Sequence, residues 1–106
     1  MKKVVVYDSY VFSQLGIVKL LTDCLPEANV YTSSSKASIE SITHRNAINL
    51  VIVSVWDYQN IEEIIKSIEC NTKVVIYYEY LAPIASLKHQ YTNVVGLISK
   101  KVEVDE

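Results

Sequence analysis

Three uninterrupted apolar runs constrain the fold of this chain more than any other feature. They read VVV at residues 4–6, LVIV at 50–53 and VVI at 74–76. A strand with one face in water alternates apolar and polar residues, whereas a strand of a parallel sheet covered on both faces is continuously apolar. The three runs therefore predict buried strands of a parallel sheet.

Helical patterns separate these strands from one another and from two weaker ones. The strands are predicted at residues 3–7, 29–32, 49–55, 73–78 and 94–99. A first helix places Val11, Leu15, Val18 and Leu21 on one face, and Pro26 ends it. The second helix is predicted to be capped within residues 33–35 and to carry Ile39 and Ile42. The third begins with a capping box of Asn60 and Glu63, and its apolar face consists of Ile61, Ile64, Ile65 and Ile68. The fourth is predicted to begin at Pro83, with Ile84, Leu87 and Tyr91 pointing inward.

Strict alternation of strands and helices with short connections defines the fold class as α/β. We predict a flavodoxin-like, doubly wound, five-stranded parallel sheet with strand order 2-1-3-4-5. Only KKVEVDE follows the fifth strand, so the fifth helix is expected to be missing or truncated, or its place to be taken by a partner. In this topology a site lies outside the carboxyl ends of strands 1 and 3, which here carry Asp8, Ser9 and the residues from Ser54 to Asp57.

The length and the net charge of the chain limit the classes of function that it can have. The chain has 106 residues, which suits one domain, 1–106, and its formal net charge is −2 with scattered Lys and Arg. Such a surface is not expected to bind DNA directly. The longest apolar runs are too short for a membrane span and Asp8 interrupts any signal peptide, so we expect a cytoplasmic protein that contacts no membrane. Cys24 and Cys70 are too far apart for a metal motif and are expected to be reduced and partly buried.

The ordered set of motifs resembles the receiver domains of two-component response regulators. Asp8-Ser9 followed by YVFSQLG and IVKLL is similar to the start of these domains, especially those fused to LuxR/NarL-type helix-turn-helix domains. NLVIVSV, KVVIYY and VVGLISK resemble their third, fourth and fifth strands. The resemblance covers nearly the whole chain and implies an atypical receiver, like those of auxiliary LuxR-type regulators of enterobacteria.

Residue by residue, the resemblance implies a degenerate phosphoacceptor pocket. Of the two acids that hold magnesium in receivers, Asp8 remains and Ser9 replaces the other. Ser54 stands at the phosphoacceptor aspartate, Tyr78 at the switch serine or threonine, and Lys100 at the invariant lysine. Leu97 stands where an aromatic switch is common.

These replacements remove the chemistry of a receiver. A serine hydroxyl is a poor nucleophile without a base, and His44 and His89 are predicted in helices away from the site. One carboxylate is a poor magnesium site, so we predict no metal, no cofactor and no enzyme activity. Asp57 is a candidate surrogate acid. Lys100 either pairs with Asp8 or is solvated, and Ser54 is either a small polar plug or the remnant of the lost acceptor.

Three functions are compatible with these sequence features. The first is a phosphorylation-independent regulatory domain that dimerises or docks onto another response regulator, with DNA bound through a C-terminal helix-turn-helix domain outside this chain. Its interface is predicted at the first helix or around the fourth, at Tyr80, Ile84, Leu87 and Tyr91, because tyrosine is enriched at interfaces. The second is a phosphoacceptor that uses Ser54, Asp57 or Cys24. The third, a flavodoxin-like cofactor binder, lacks the glycine-rich or hydroxyl-rich phosphate loop that it needs.

Overall fold

The computed structural model describes residues 2–56 and 58–101. Strands and helices alternate along the chain. In order they are β1 (Lys3–Tyr7), α1 (Val11–Cys24), β2 (Asn29–Ser33), α2 (Lys36–Arg45), β3 (Leu50–Ser54), α3 (Ile61–Ser67), β4 (Lys73–Tyr78), α4 (Leu87–Gln90) and β5 (Val94–Ser99).

The five strands form one parallel sheet with the order β2-β1-β3-β4-β5. This confirms the predicted flavodoxin-like topology. The winding reverses between β1 and β3, so the carboxyl ends of these two central strands lie side by side. The pairing of Tyr7 with Val53 leaves Asp8 and Ser54 as the next residues of the two strands.

The core lies on the sheet face that α2, α3 and α4 cover. Val5, Val51 and Ile76 are among its fully buried strand residues, at 1% exposure or less. The isoleucines predicted inward on α3 are all buried: Ile61, Ile64, Ile65 and Ile68. The strands are continuously apolar because the alternate residues of each strand, such as Val4 and Val6 of β1, are buried on the other face of the sheet.

The α1 helix covers β1 and β2 on that other face, and the prediction of its inward side is correct in part: Val18 and Leu21 are half-buried. Val11 and Leu15 are 61% and 55% exposed, whereas Gln14 is buried. The Gln14 side-chain amide donates to the Ser33 carbonyl at 3.0 Å and the Asp8 carbonyl at 3.5 Å. A polar side chain therefore occupies the inward position because it satisfies backbone acceptors at the strand ends.

The fourth helix is shorter than predicted. No regular helix begins at Pro83. Instead the Ile84 N–H donates to the Leu81 carbonyl and the Leu87 N–H donates to the Ile84 carbonyl, each three residues back along the chain. The regular helix α4 is a single turn. Ile84 and Leu87 nonetheless point inward, as predicted.

Of the two predicted side-chain caps at helix starts, the one at α2 forms and the one at α3 does not. The Ser35 hydroxyl accepts a hydrogen bond from the Ser38 N–H at 3.1 Å, which confirms the cap expected within residues 33–35. Asn60 is the N-cap of α3, but its side chain makes no capping hydrogen bond. The half of the predicted capping box that depends on the Asn60 side chain therefore does not form, and the negative charges of Glu62 and Glu63 in the first turn interact favourably with the helix dipole.

Candidate functional site

The carboxyl ends of β1, β3 and β5 bring together four of the five predicted pocket residues, namely Asp8, Ser9, Ser54 and Lys100. A cavity of about 220 Å³ opens at this edge of the sheet. Its lining includes Ser9 and Ser54 together with Trp56, the residue that follows β3 by two positions. The remaining lining residues are Tyr7, Val53, Val55, Asn60, Ile61 and Ile64. The topology thus assembles the pocket from segments that are far apart in sequence.

Lys100 lies beside this pocket and is bonded directly to Ser54, one of the lining residues. Its ammonium donates to the Ser54 Oγ at 2.8 Å and lies 3.3 Å from the centroid of the Trp56 ring. The Tyr77 ring is 5.1 Å away. A cation held over an indole face is stabilised by the ring quadrupole, so Lys100 has a defined position and is not a solvated lysine.

Burial changes the acidity of Lys100. Desolvation lowers the pKa of its ammonium from 10.5 to about 8, and the carboxylates of Asp8 and Glu79 oppose the decrease. At pH 7 roughly one tenth of the molecules therefore carry a neutral amine at this position. An unperturbed lysine would be charged in all but about one molecule in three thousand.

Asp8 is fully buried beside the pocket. Its Oδ1 accepts from the Tyr10 N–H at 2.9 Å, whereas its Oδ2 has no hydrogen-bond partner among the described residues. The predicted direct pairing of Lys100 with Asp8 does not form, because the ammonium is on Ser54 and no ion pair joins the two residues. Asp8 acts on Lys100 through its charge at longer range.

The described residues do not fit the magnesium ion of a receiver. Asp8 supplies one buried carboxylate with one free oxygen, and Ser9 and Ser54 supply only hydroxyls. The Lys100 ammonium on Ser54 adds a positive charge on the side where a receiver has its acceptor carboxylate. No cluster of three or more His, Cys, Asp or Glu side chains occurs within residues 2–56 and 58–101. Mg²⁺ requires several hard oxygens in octahedral geometry, and this set does not provide them.

Other predicted site residues lie away from the pocket. Tyr78 and Leu97 pack against the core on the opposite face of the sheet, so Tyr77 rather than Tyr78 approaches Lys100. Asp57, the candidate surrogate acid, lies outside the described residues. Both cysteines are free and exposed, not partly buried as expected, because Cys24 ends α1 and Cys70 lies in the connection after α3.

The predicted interface around the fourth helix is mostly interior. Ile84 and Leu87 are buried at 0% and 3% exposure, and Tyr91 packs against the core. Tyr80 remains exposed at 56%. The inward side of this segment thus consists of residues that support the sheet, and its outer surface carries Tyr80.

Sequence reasoning missed three residues that shape the site. Gln14 joins the ends of β1 and β2, and Tyr77 flanks Lys100. The Tyr58 hydroxyl accepts from the N–H groups of Glu79 and Tyr80 at 2.9 and 2.7 Å, which fixes the segment after β4. The sequence could have identified Tyr77 from the alternation of side chains along a strand, because Tyr77 pairs with Ser54 of the neighbouring strand.

Comparison with known proteins identifies the fold class. No family model and no curated protein matches the sequence. The chain is similar to a de novo designed Rossmann 2x3 protein, with a TM-score of 0.74 and 26% identity over 96% of this chain and 80% of that one. It is also similar to the signal receiver domain of the putative response regulator NarL from Mycobacterium tuberculosis, with a TM-score of 0.72 and 17% identity over 96% and 86% of the two chains.

A third similar structure is the receiver domain of the response regulator Ssk1 from Saccharomyces cerevisiae, crystallised with the histidine phosphotransfer protein Ypd1. Its TM-score is 0.66 at 11% identity, over 96% of this chain and 80% of that one. The chain therefore has the fold of a receiver domain. Among the helices of the described residues, none combines the length and apolar character needed to span a bilayer.

Proposed function

We propose that this chain is an atypical receiver domain that regulates through protein contacts and not through phosphorylation. The observation that carries the proposal is the bond from the Lys100 ammonium to the Ser54 Oγ. In the receivers that the sequence resembles, an aspartate stands at position 54 and accepts the phosphoryl group. Here a neutral hydroxyl occupies that position, and the lysine is already bound to it.

This hydrogen bond, here called the latch, holds the end of β3 to the residue that follows β5 and is present without any phosphoryl group. The backbone supports it, because the Lys100 N–H donates to the Tyr78 carbonyl and the Val55 N–H to the Tyr77 carbonyl. Trp56 stacks edge-on against Tyr10 with ring centroids 5.5 Å apart, which joins the latch to the start of α1. A ligand shifts a conformational equilibrium only through different affinities for the two states. Partner binding is therefore the proposed input.

The phosphorylation test uses Ser54→Asp. We expect neither the wild-type chain nor this variant to gain a phosphoryl group from acetyl phosphate and Mg²⁺, because Ser9 still denies the metal a second acid. Intact-mass spectrometry after incubation is the measurement, and thermal melting with beryllofluoride and Mg²⁺ is the second readout. A phosphoryl adduct on the wild-type chain or on Ser54→Asp contradicts the proposal.

The surface best suited to a partner is α1, and we propose that its occupant is a second copy of this chain. Phe12 and Leu20 are 90% and 66% exposed. Gly16 lies between them at a spacing of four residues on each side, so the three form one ridge of the helix. A Cβ added at Gly16 meets no atom within 4 Å, which leaves bare backbone at the centre of the ridge.

This ridge is complementary to itself. An antiparallel pair of α1 helices with its two-fold axis at Gly16 places Phe12 of each copy against Leu20 of the other. The absence of a side chain at Gly16 lets the two backbones approach, and most homodimers use such isologous contacts. Lys19 and Asp23 form an exposed ion pair beside the ridge and supply a polar rim. A heterodimer with another response regulator is the alternative outcome of the dimer test.

The wider role that we propose is that of the N-terminal part of a LuxR-type transcription regulator in the cytoplasm. DNA binding belongs in this proposal to a C-terminal helix-turn-helix domain, because the present chain has net charge −2 and scattered basic residues. Sequencing the gene beyond codon 106 tests this part. A helix-turn-helix reading frame is the expected result, and a stop codon directly after Glu106 contradicts it.

A further inference from the structure

Ser54, which lines the pocket, and Lys100, which is bonded to it, serve the proposed regulatory role only as a structural contact, but they also have the composition of a reactive pair. Ser54 and Lys100 are separated by 46 positions in sequence, yet Nζ and Oγ are 2.8 Å apart. A hydroxyl becomes a nucleophile when a base within hydrogen-bonding distance removes its proton. Serine with lysine as the base is one of the recurrent variants of the serine, histidine and aspartate triad.

We propose that Ser54 and Lys100 form a nucleophile and base dyad, and that Ser54 is an acylation site for small activated acyl esters. The cavity supports this assignment, because Ser54 lines it and its volume is about 220 Å³. A single water needs only about 10–15 Å³ by the same kind of measure. A short acyl group therefore fits beside Ser54, and the Trp56 side chain forms part of the same lining.

The chemical step requires the neutral form of Lys100. As the Ser54 Oγ attacks the acyl carbon, its proton moves to the Lys100 Nζ. The Oγ–C bond forms, the bond from the acyl carbon to the leaving alkoxide or phenoxide breaks, and the lysine ammonium returns the proton to that leaving group. Ser9 lines the same cavity and offers a hydroxyl that can donate to the developing oxyanion.

The surroundings of Lys100 make its neutral form accessible. Burial lowers its pKa to about 8, while the negative charges of Asp8 and Glu79 favour the charged form. Trp56 and Tyr77 present uncharged rings. The acylation rate is thus expected to rise with pH and to level off above about pH 8, as the titration of one base requires.

The test is acylation by p-nitrophenyl acetate, followed by peptide mass spectrometry of the intact folded chain. We expect an acetyl group on the peptide that contains Ser54. It should be absent in Ser54→Ala and at least tenfold slower to form in Lys100→Arg, because a guanidinium keeps the charge but stays protonated and is no base. Lys101→Arg is the matched control and should acylate at the wild-type rate. Melting curves of the four proteins verify that each is folded.

Three outcomes overturn the proposal. They are no acetyl group on Ser54 after excess reagent at pH 9, an unchanged rate in Lys100→Arg, and acylation of Lys100 in place of Ser54. If Lys100→Arg does not fold, the wild-type pH profile decides, because a rate that rises in proportion to hydroxide without a plateau excludes a lysine base. Acylation of Ser54 is independent of the proposed regulatory role, so the phosphorylation test and this one can fail separately.

Discussion

Raising the pH through 8 is expected to change the fluorescence of Trp56 in one transition. Trp56 is the single tryptophan of the chain, and the Lys100 ammonium lies 3.3 Å from its ring centroid. When the lysine loses its proton, the positive charge over the indole disappears. Because burial lowers the pKa of Lys100 to about 8, the midpoint should lie there and not near 10.5.

Lys100→Met should abolish this transition, since it keeps the length of the side chain without the charge. Lys101→Met is the matched control, because Lys101 is exposed and its ammonium is 4.8 Å from the Tyr80 ring, not over Trp56. It should leave the transition intact. A transition near pH 8 that persists in Lys100→Met shows that another group is responsible and refutes the assignment.

The same titration affects stability, with a sign that follows from linkage. The folded chain loses the Lys100 proton near pH 8 and the unfolded chain near pH 10.5, so between these values the unfolded state binds more protons. The contribution of Lys100 to the free energy of unfolding therefore increases with pH across this window. Below pH 8 the buried charge lowers stability. Comparison of Lys100→Met with Lys101→Met by urea unfolding isolates the contribution of Lys100.

Replacing Gly16 by leucine is expected to separate dimerisation from folding. The added side chain meets no atom of its own copy, and leucine is a better helix former than glycine, so the monomer should be at least as stable. In the proposed dimer the leucine stands where the two α1 backbones cross, and it should prevent their approach. Sedimentation equilibrium at high micromolar concentration should show a dimer for the wild type and a monomer for Gly16→Leu.

Phe12→Asp provides the second arm of this test. An aromatic residue at the centre of an interface contributes at least about 2 kcal/mol, so association should weaken by roughly 30-fold or more. Tyr80→Asp is the matched control, because Tyr80 is an exposed aromatic residue away from α1 and should leave the dimer intact. Wild-type monomer at every concentration contradicts the dimer, and dissociation by Tyr80→Asp alone places the interface at the fourth helix instead.

The fold by itself does not decide between these roles. A designed protein and two receiver domains have the same architecture as this chain, and one fold supports many functions. The proposed roles therefore depend on the site. They rest on the bond from Lys100 to Ser54, the unpartnered oxygen of Asp8 and the exposed ridge of α1.

Sequence patterns predicted the sheet well because its strands are buried on both faces. The limits of β1, β4 and β5 were predicted to the residue, and the strand order followed from the alternation of elements. The side of α1 was predicted less well. Hydrophobic periodicity cannot show that Gln14 is buried, because its inward position depends on carbonyl groups of Asp8 and Ser33 that only the folded chain brings near.

The sequence by itself determined that residue 54 is a hydroxyl, that position 9 is not an acid and that Lys100 ends the fifth strand region. The tertiary structure decided what these residues do together. It placed the Lys100 ammonium on Ser54 and over Trp56, and not against Asp8. The physical reason is that burial and ring contacts set the acidity and partner of a lysine, and both depend on strands that are adjacent in the sheet but distant in the chain.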